Sequence, residues 1–129
     1  MDERIKYIGI VRSSFTNLKD CPLQENENAP KAIIEIYENF KEGISDIKQG
    51  SQLIIFSWLH QADRTVLKTK PRNDERANMT GVFSTRSPHR PNPIGMHVAK
   101  VIAVDGCYIH VSQLELLDGT PIIDMKPVI

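Results

Sequence analysis

Short runs of alternating apolar and polar residues fill most of this chain, and turn-forming residues separate them. Residues 5–12 carry β-branched and aromatic side chains and read as a strand. Residues 13–30 are polar, hold two prolines and three asparagines, and read as one long loop. A loop of that length in a compact domain is often functional. Alternation resumes at 31–37, and 38–49 suits a short helix or turn with Gly43 and Gly50 as stops. Residues 53–59 form an apolar run broken only by Ser57, the pattern of a strand buried on both faces. A strand at 65–69 ends before Pro71, a charged loop covers 71–78, and 81–85 makes a short strand. Pro88, Pro91 and Pro93 then exclude regular pairing, because proline donates no ladder hydrogen bond. Residues 97–104 and 107–116 alternate on either side of the hairpin signal Asp105-Gly106. Asp118-Gly119 marks another turn before a last strand at 121–125.

Seven or eight short strands with little helix predict an all-β fold, a barrel or a sandwich. No β-α-β alternation is present. The 129 residues fit a single domain, 1–129, with a core that needs no staples. Lysine plus arginine number 16, aspartate plus glutamate also 16, so composition gives no sign of nucleic acid and any RNA site must be a local basic patch. Two cysteines, Cys21 and Cys107, are too few for a disulfide framework and fit no zinc spacing, so both are expected as reduced thiols. The histidines His60, His89, His97 and His110 show no metal spacing either, and no metal is expected. No apolar run reaches the roughly 18 residues of a membrane span, and Asp2, Glu3, Arg4 and Lys6 do not open a signal peptide. The expected location is the cytoplasm, with no membrane partner.

Three segments could carry chemistry. Residues 81–95 leave a strand, place Arg86 and Arg90 four residues apart, and stiffen the backbone with three prolines. Such a loop can clamp a carboxylate or phosphate through paired donors, or be a stiff connection with solvated arginines. Residues 116–127 contain Asp118, which either acts chemically or bonds its own turn. They also contain Asp124, which needs a cation such as Arg12, Arg86 or Lys126 if buried. Trp58, His60 and Gln61 end the most apolar strand, where they could face a ligand or merely finish the core rim. The chain has no dinucleotide-binding glycine loop, no P-loop and no nucleophile elbow.

The run Gly81-Val-Phe-Ser-Thr-Arg-Ser-Pro-His-Arg-Pro-Asn-Pro-Ile-Gly-Met96 closely resembles the signature of the TsaA-like domain, the TrmO family. So does Leu117-Asp-Gly-Thr-Pro-Ile-Ile-Asp-Met-Lys-Pro127, and Ile8-Gly-Ile-Val-Arg-Ser13 and Trp58-Leu-His-Gln61 match in order and spacing. The resemblance spans essentially the whole chain. It implies a β-barrel homodimer that binds S-adenosylmethionine and methylates N6 of a threonylcarbamoyl-modified adenosine beside the tRNA anticodon. Cofactor contacts then fall on His60, Gln61, Arg86, Met96, Ser112, Gln113, Leu114 and Glu115, with Glu25, Asn26 and Glu27 in the long loop. With Arg86 in the cofactor set, Arg90, together with Asn92, is the expected substrate contact, and His60 or Asp118 could accept the proton that the methylated nitrogen loses. Pro22-Leu23-Gln24 stands where the family often has Pro-Arg-Gln, and Glu115 where an aspartate is expected. The alternatives are a methyltransferase of a small molecule or another RNA, and a non-catalytic S-adenosylmethionine-binding module.

Overall fold

The computed structural model describes residues 2–14, 31–70 and 78–129. The strands among them are β1 (Gly9–Arg12), β2 (Ala32–Ile36), β3 (Gln52–Trp58), β4 (Lys68–Thr69), β5 (Thr80–Gly81), β6 (Ile94–Asp105), β7 (Tyr108–Val111) and β8 (Pro121–Pro127). Six of them close into an antiparallel barrel in the order β1-β2-β7-β6-β3-β8, while β4 and β5 form a separate two-stranded hairpin. The all-β, barrel-like expectation holds. Closure leaves no barrel edge open to pairing with another chain.

Alternation decides what fills the barrel. Val11, Ile34, Ile36, Leu53, Ile55, Val101, Ile109, Val111 and Ile122 point inward and are buried. Leu114 and Leu116, from the irregular segment after β7, join the same core. Truncating one such side chain to alanine typically costs about 2–5 kcal/mol. β6 is the longest strand and serves two partners: its first half pairs with β3 and its second half with β7. A register shift between Val101 and Ala103 marks the change, as a bulge bends the strand around the barrel.

Several elements differ from the sequence expectation. β3 is not buried on both faces: Leu53, Ile55 and Ser57 point inward, while Ile54, Phe56 and Trp58 form a half-covered outer face. Residues 82–84 form a turn of 3-10 helix instead of strand, because the Val82 carbonyl accepts from the Thr85 amide, the Thr85 hydroxyl and Arg90. The strand expected over 107–116 ends at Val111. There the Ser112 Oγ accepts the Lys100 N–H at 3.1 Å, and Gln113 turns to a φ of 36°. Residues 38–44 are a 3-10 helix at the barrel base. Cys107 is a free thiol, and Cys21 lies outside the described residues. Asp124 is exposed and accepts only the neighbouring Met125 N–H, so the buried ion pair considered for it does not exist. Among the described residues no helix is long and apolar enough to cross a membrane.

Candidate functional site

Proline and one arginine give the segment after β5 its shape. The Arg90 guanidinium donates to the carbonyls of Thr85 at 3.1 Å, Ser87 at 3.1 Å and Val82 at 2.7 Å. Three of its five N–H groups are thus committed to backbone. Ser87 and Thr85 add local bonds: the Ser87 N–H reaches the Thr85 hydroxyl, and the His89 N–H reaches the Ser87 hydroxyl. Pro93, buried, anchors the exit, where its carbonyl takes the Leu59 N–H at 2.8 Å. The paired arginines seen in the sequence therefore do different work. Arg90 turns inward and holds the loop; Arg86 stays exposed on it.

The turn after β3 docks against this loop. The Asp63 N–H donates to His89 Nδ1 at 2.9 Å, so that ring nitrogen is an acceptor. Arg64 Nε donates to the Pro91 carbonyl at 2.7 Å, and its guanidinium lies 5.2 Å from the centre of the Trp58 ring. A cation over an indole face is an attractive contact. The Thr65 hydroxyl and N–H both donate to Asp63, and they hold its carboxyl below the usual range, with His89 adding in the same direction. His60 and Gln61 are exposed on this turn. Asn92 is exposed, lies 3.4 Å from an Arg64 nitrogen, and bonds the Ile94 N–H through its carbonyl.

Met96 follows on β6, 46% exposed and opposite Phe56 on the outer face of the barrel. Behind it, inside the barrel, the Ser57 hydroxyl and His97 Nε2 stand 3.2 Å apart. Gly95 is required there: a Cβ would fall 2.5 Å from the Ser57 oxygen and 2.7 Å from His97 Nε2. Sequence reading missed this interior polar pair, although a serine interrupting an apolar strand was its visible trace. His60, Gln61, Arg86, Asn92 and Met96 thus gather around one end of the β3–β6 pair.

The remaining candidates sit elsewhere. Ser112 bonds both backbone groups of Lys100, six residues along β6 from Ile94. At about 3.3 Å per residue that is roughly 20 Å from the loop end of the strand. Gln113 is the only described non-glycine residue with positive φ, a strained geometry that often marks function. Leu114 is fully buried in the core, so the structure does not present it to a ligand. Asp118 Oδ1 accepts the Ser13 N–H at 3.1 Å, the Ser13 hydroxyl reaches the Leu116 carbonyl at 2.8 Å, and the Gly119 N–H reaches the Val11 carbonyl at 2.7 Å. Asp118 and Gly119 therefore clasp the end of β1, and Gly119 takes a φ of 88° to do it. Asp118 also lines a cleft of about 550 Å³ with Arg12, Ser13, Lys31 and His110. Glu25, Asn26 and Glu27 lie outside the described residues. A cavity of about 580 Å³ at the base, walled by Phe40, Ile44, Ile47, Leu53 and Met125, contains none of the residues the resemblance assigns. Its motif residues are Ile8, next to β1, and Asp124 to Pro127 of β8, and none comes from the Arg90-pinned loop.

Among the described residues, these parts define a closed β-barrel protein with a rigid, arginine-bearing loop at one end of the β3–β6 pair. Residues 10–129 match the tRNA-methyltransferase O N-terminal domain, and the chain belongs to that family. It is similar to an S-adenosyl-L-methionine-binding protein of Archaeoglobus fulgidus, at 35% identity over 95% of this chain and 86% of that one. A second relative from the same organism, a probable S-adenosyl-L-methionine-binding protein, is 40% identical over 96% of this chain, which spans 33% of its length. Among solved structures it resembles TrmO of Pseudomonas aeruginosa, with a TM-score of 0.74 and 29% identity over 100% of this chain. A further crystal structure of TrmO gives 0.78 and 32%. The chain spans 57% and 58% of those two proteins.

Proposed function

We propose that this protein is an S-adenosylmethionine-dependent methyltransferase acting on N6 of a threonylcarbamoyl-modified adenosine next to a tRNA anticodon. The family match over residues 10–129, with Arg86 held outward on the signature loop, carries the reading. The donor set suits the cofactor. Arg86 offers a cation for the methionine carboxylate, Met96 an apolar surface, and His60 and Gln61 polar edges for the nucleoside. Bound there, S-adenosylmethionine would supply an electrophilic methyl group on a sulfonium. The chain's own task is then alignment, since in-line placement of reacting atoms contributes up to about 7–11 kcal/mol in ideal cases. His60 takes the proton that the amine nitrogen releases, a role typically worth about 10²–10⁴-fold. Asp118, occupied with the β1 clasp, is the second candidate. Arg90 and Asn92 serve the substrate indirectly, by fixing the loop and the Arg64 contact.

The same reading makes the protein a homodimer. Cross-strand pairs Ile54–Val98, Phe56–Met96 and Trp58–Ile94 form an apolar outer face, with Ile94, Met96 and Val98 each more than 40% exposed. The two groups of candidate residues stand roughly 20 Å apart along β6, too far for one ligand. A second copy against the apolar face lets one chain's His60 group meet the partner's Ser112–Glu115 group.

A thermal-shift series with S-adenosylmethionine, S-adenosylhomocysteine and ATP tests the cofactor. Native-state binding at a hundredfold excess over Kd adds about 2.7 kcal/mol, a rise of several degrees, and ATP should do far less. Transfer of labelled methyl to total tRNA, against a small-molecule extract, tests the acceptor. No shift with either S-adenosyl ligand rejects the methyltransferase, and label only in small molecules rejects the tRNA substrate.

A further inference from the structure

The chain's charge is neutral as a whole and uneven along its length. Residues 64–92 carry seven lysines and arginines against two acidic residues, so the rest of the molecule is correspondingly acidic. In the described parts of that stretch, 64–70 and 78–92, no acidic residue occurs. This stretch is the β4–β5 hairpin and the Arg90-pinned loop. Among the described residues, Arg64, Lys68, Lys70 and Arg86 are exposed along it, a local basic patch of the kind a polyanion selects.

In the middle of that surface stands an aromatic ring. Phe83 is 77% exposed, on a loop that the Arg90 bonds to Val82, Thr85 and Ser87 hold on both sides of it. Leu67 and Met79 are 62% and 56% exposed on the adjoining hairpin, where the Val82 N–H bonds the Leu67 carbonyl at 2.9 Å. Lys68 and Arg86, both exposed, flank the group. A phenylalanine left in water forgoes about 1.5–3 kcal/mol of burial, and here an inward arginine fixes the backbone that keeps it there. An ordered aromatic ring amid cations is how proteins hold unstacked bases of single-stranded RNA. The apolar β3–β6 face, by contrast, is flat sheet without interleaved cations along its centre.

We propose that Phe83 is the stacking platform for an unpaired base of the RNA substrate, with Lys68 meeting an adjacent phosphate. The proposal rests on the tRNA reading given above and adds to it the surface and the residue that recognise the RNA. Phe83 is a binding residue: it touches a base and leaves the methyl donor alone.

The test uses the full chain and a short RNA hairpin with 2-aminopurine in its loop. Wild-type protein should quench the fluorophore on binding, with affinity falling as salt rises. Phe83→Ala should weaken RNA binding about tenfold and abolish the quenching, and Phe83→Trp should restore both. The S-adenosylmethionine thermal shift should be the same in all three, which also verifies that each variant is folded. Lys68→Glu should weaken RNA binding and flatten its salt dependence. If wild type binds and methylates tRNA and Phe83→Ala does so equally well, the platform is wrong and the tRNA reading stands. If wild type shifts with S-adenosylmethionine yet binds no RNA at low salt, the tRNA reading fails and the platform with it. If Phe83→Ala turns a dimer into monomers, the ring belongs to the contact between copies and the proposal is overturned.

Discussion

The two flanks of the barrel solve the same problem differently. On the β1–β2–β7 flank each half-buried outward isoleucine faces a polar or ionic neighbour: Ile10 opposes Glu35, and Ile33 lies between Arg12 and His110. Arg12 and Glu35 approach to 3.4 Å, and the flank is adapted to water. On the β3–β6 flank, Ile54, Phe56 and Trp58 oppose Val98, Met96 and Ile94, with no polar side chain between them. Charge comes only to its border, with Asp124 of β8 beside Phe56, Lys126 beside Ile54, Lys100 at one end and Arg64 over Trp58 at the other. Both flanks surround the same core, so the difference concerns what lies outside. One flank is finished with polar groups, and the other leaves contiguous apolar side chains open.

Breaking the apolar flank should have the largest effect. Phe56→Asp combined with Met96→Asp should raise the dimer dissociation constant by roughly a thousandfold, about 4 kcal/mol, with the barrel still folded. Light scattering beside circular dichroism reads both; a dimer that survives the pair of charges would show that this flank faces solvent. Arg90→Ala comes next, since three carbonyls lose a charged donor at once. A loss of about 2–4 kcal/mol in urea unfolding is expected. Arg90→Lys should recover little, because a point-like ammonium cannot span three acceptors. Gly95→Ala presses a methyl group onto the Ser57–His97 pair behind Met96. Overpacking there should cost about 1–3 kcal/mol, and relief by Ser57→Gly in the double variant would locate the clash.

The water-facing flank should be nearly silent. Arg12→Ala removes an ion pair whose arginine side chain is 51% exposed, so stability should change by no more than about 0.5 kcal/mol and less in high salt. A fall beyond 1 kcal/mol would mean that Arg12 supports the adjoining cleft and not merely Glu35. The smallest effect expected is a pH dependence from Asp63. Its carboxyl titrates lower in the fold than unfolded, so its contribution is present above the ordinary carboxylate value and is lost as pH falls below it. Asp63→Asn should remove that slope in acid unfolding and change nothing near neutrality.

How much of this was legible in the sequence follows from the range of each force. Strand alternation is local, and it yielded the all-β class and most of the strands, while the choice of barrel over sandwich came from the family resemblance. The inner half of β3 was readable for the same reason. Its outer half was misjudged because an apolar run cannot say whether the second face meets protein within the chain or beyond it. The 3-10 turn at 82–84 was hidden because its cause, Arg90, lies eight residues from Val82 and acts through carbonyls. The motif signalled that Arg86 and Arg90 mattered, yet spacing could not separate an outward arginine from an inward one. Phe83 carried a usable trace: an aromatic residue inside a stretch with a surplus of basic residues. The distance between the His60 and Ser112 groups is a property of β6 length and pairing, which no local pattern contains.

The Arg90 pin also sets the thermodynamic character of any event at the loop. Fixing a residue's backbone costs roughly 1–2 kcal/mol, and for this segment that cost is met when the barrel folds. A ligand arriving at Arg86 or Phe83 finds the segment already ordered. Its calorimetric signature should lack the large opposing entropy of coupled folding, and its heat-capacity change should report only the surface the ligand itself covers. Association should likewise proceed without a slow ordering step, leaving residence time as the quantity that sequence changes in the loop would tune.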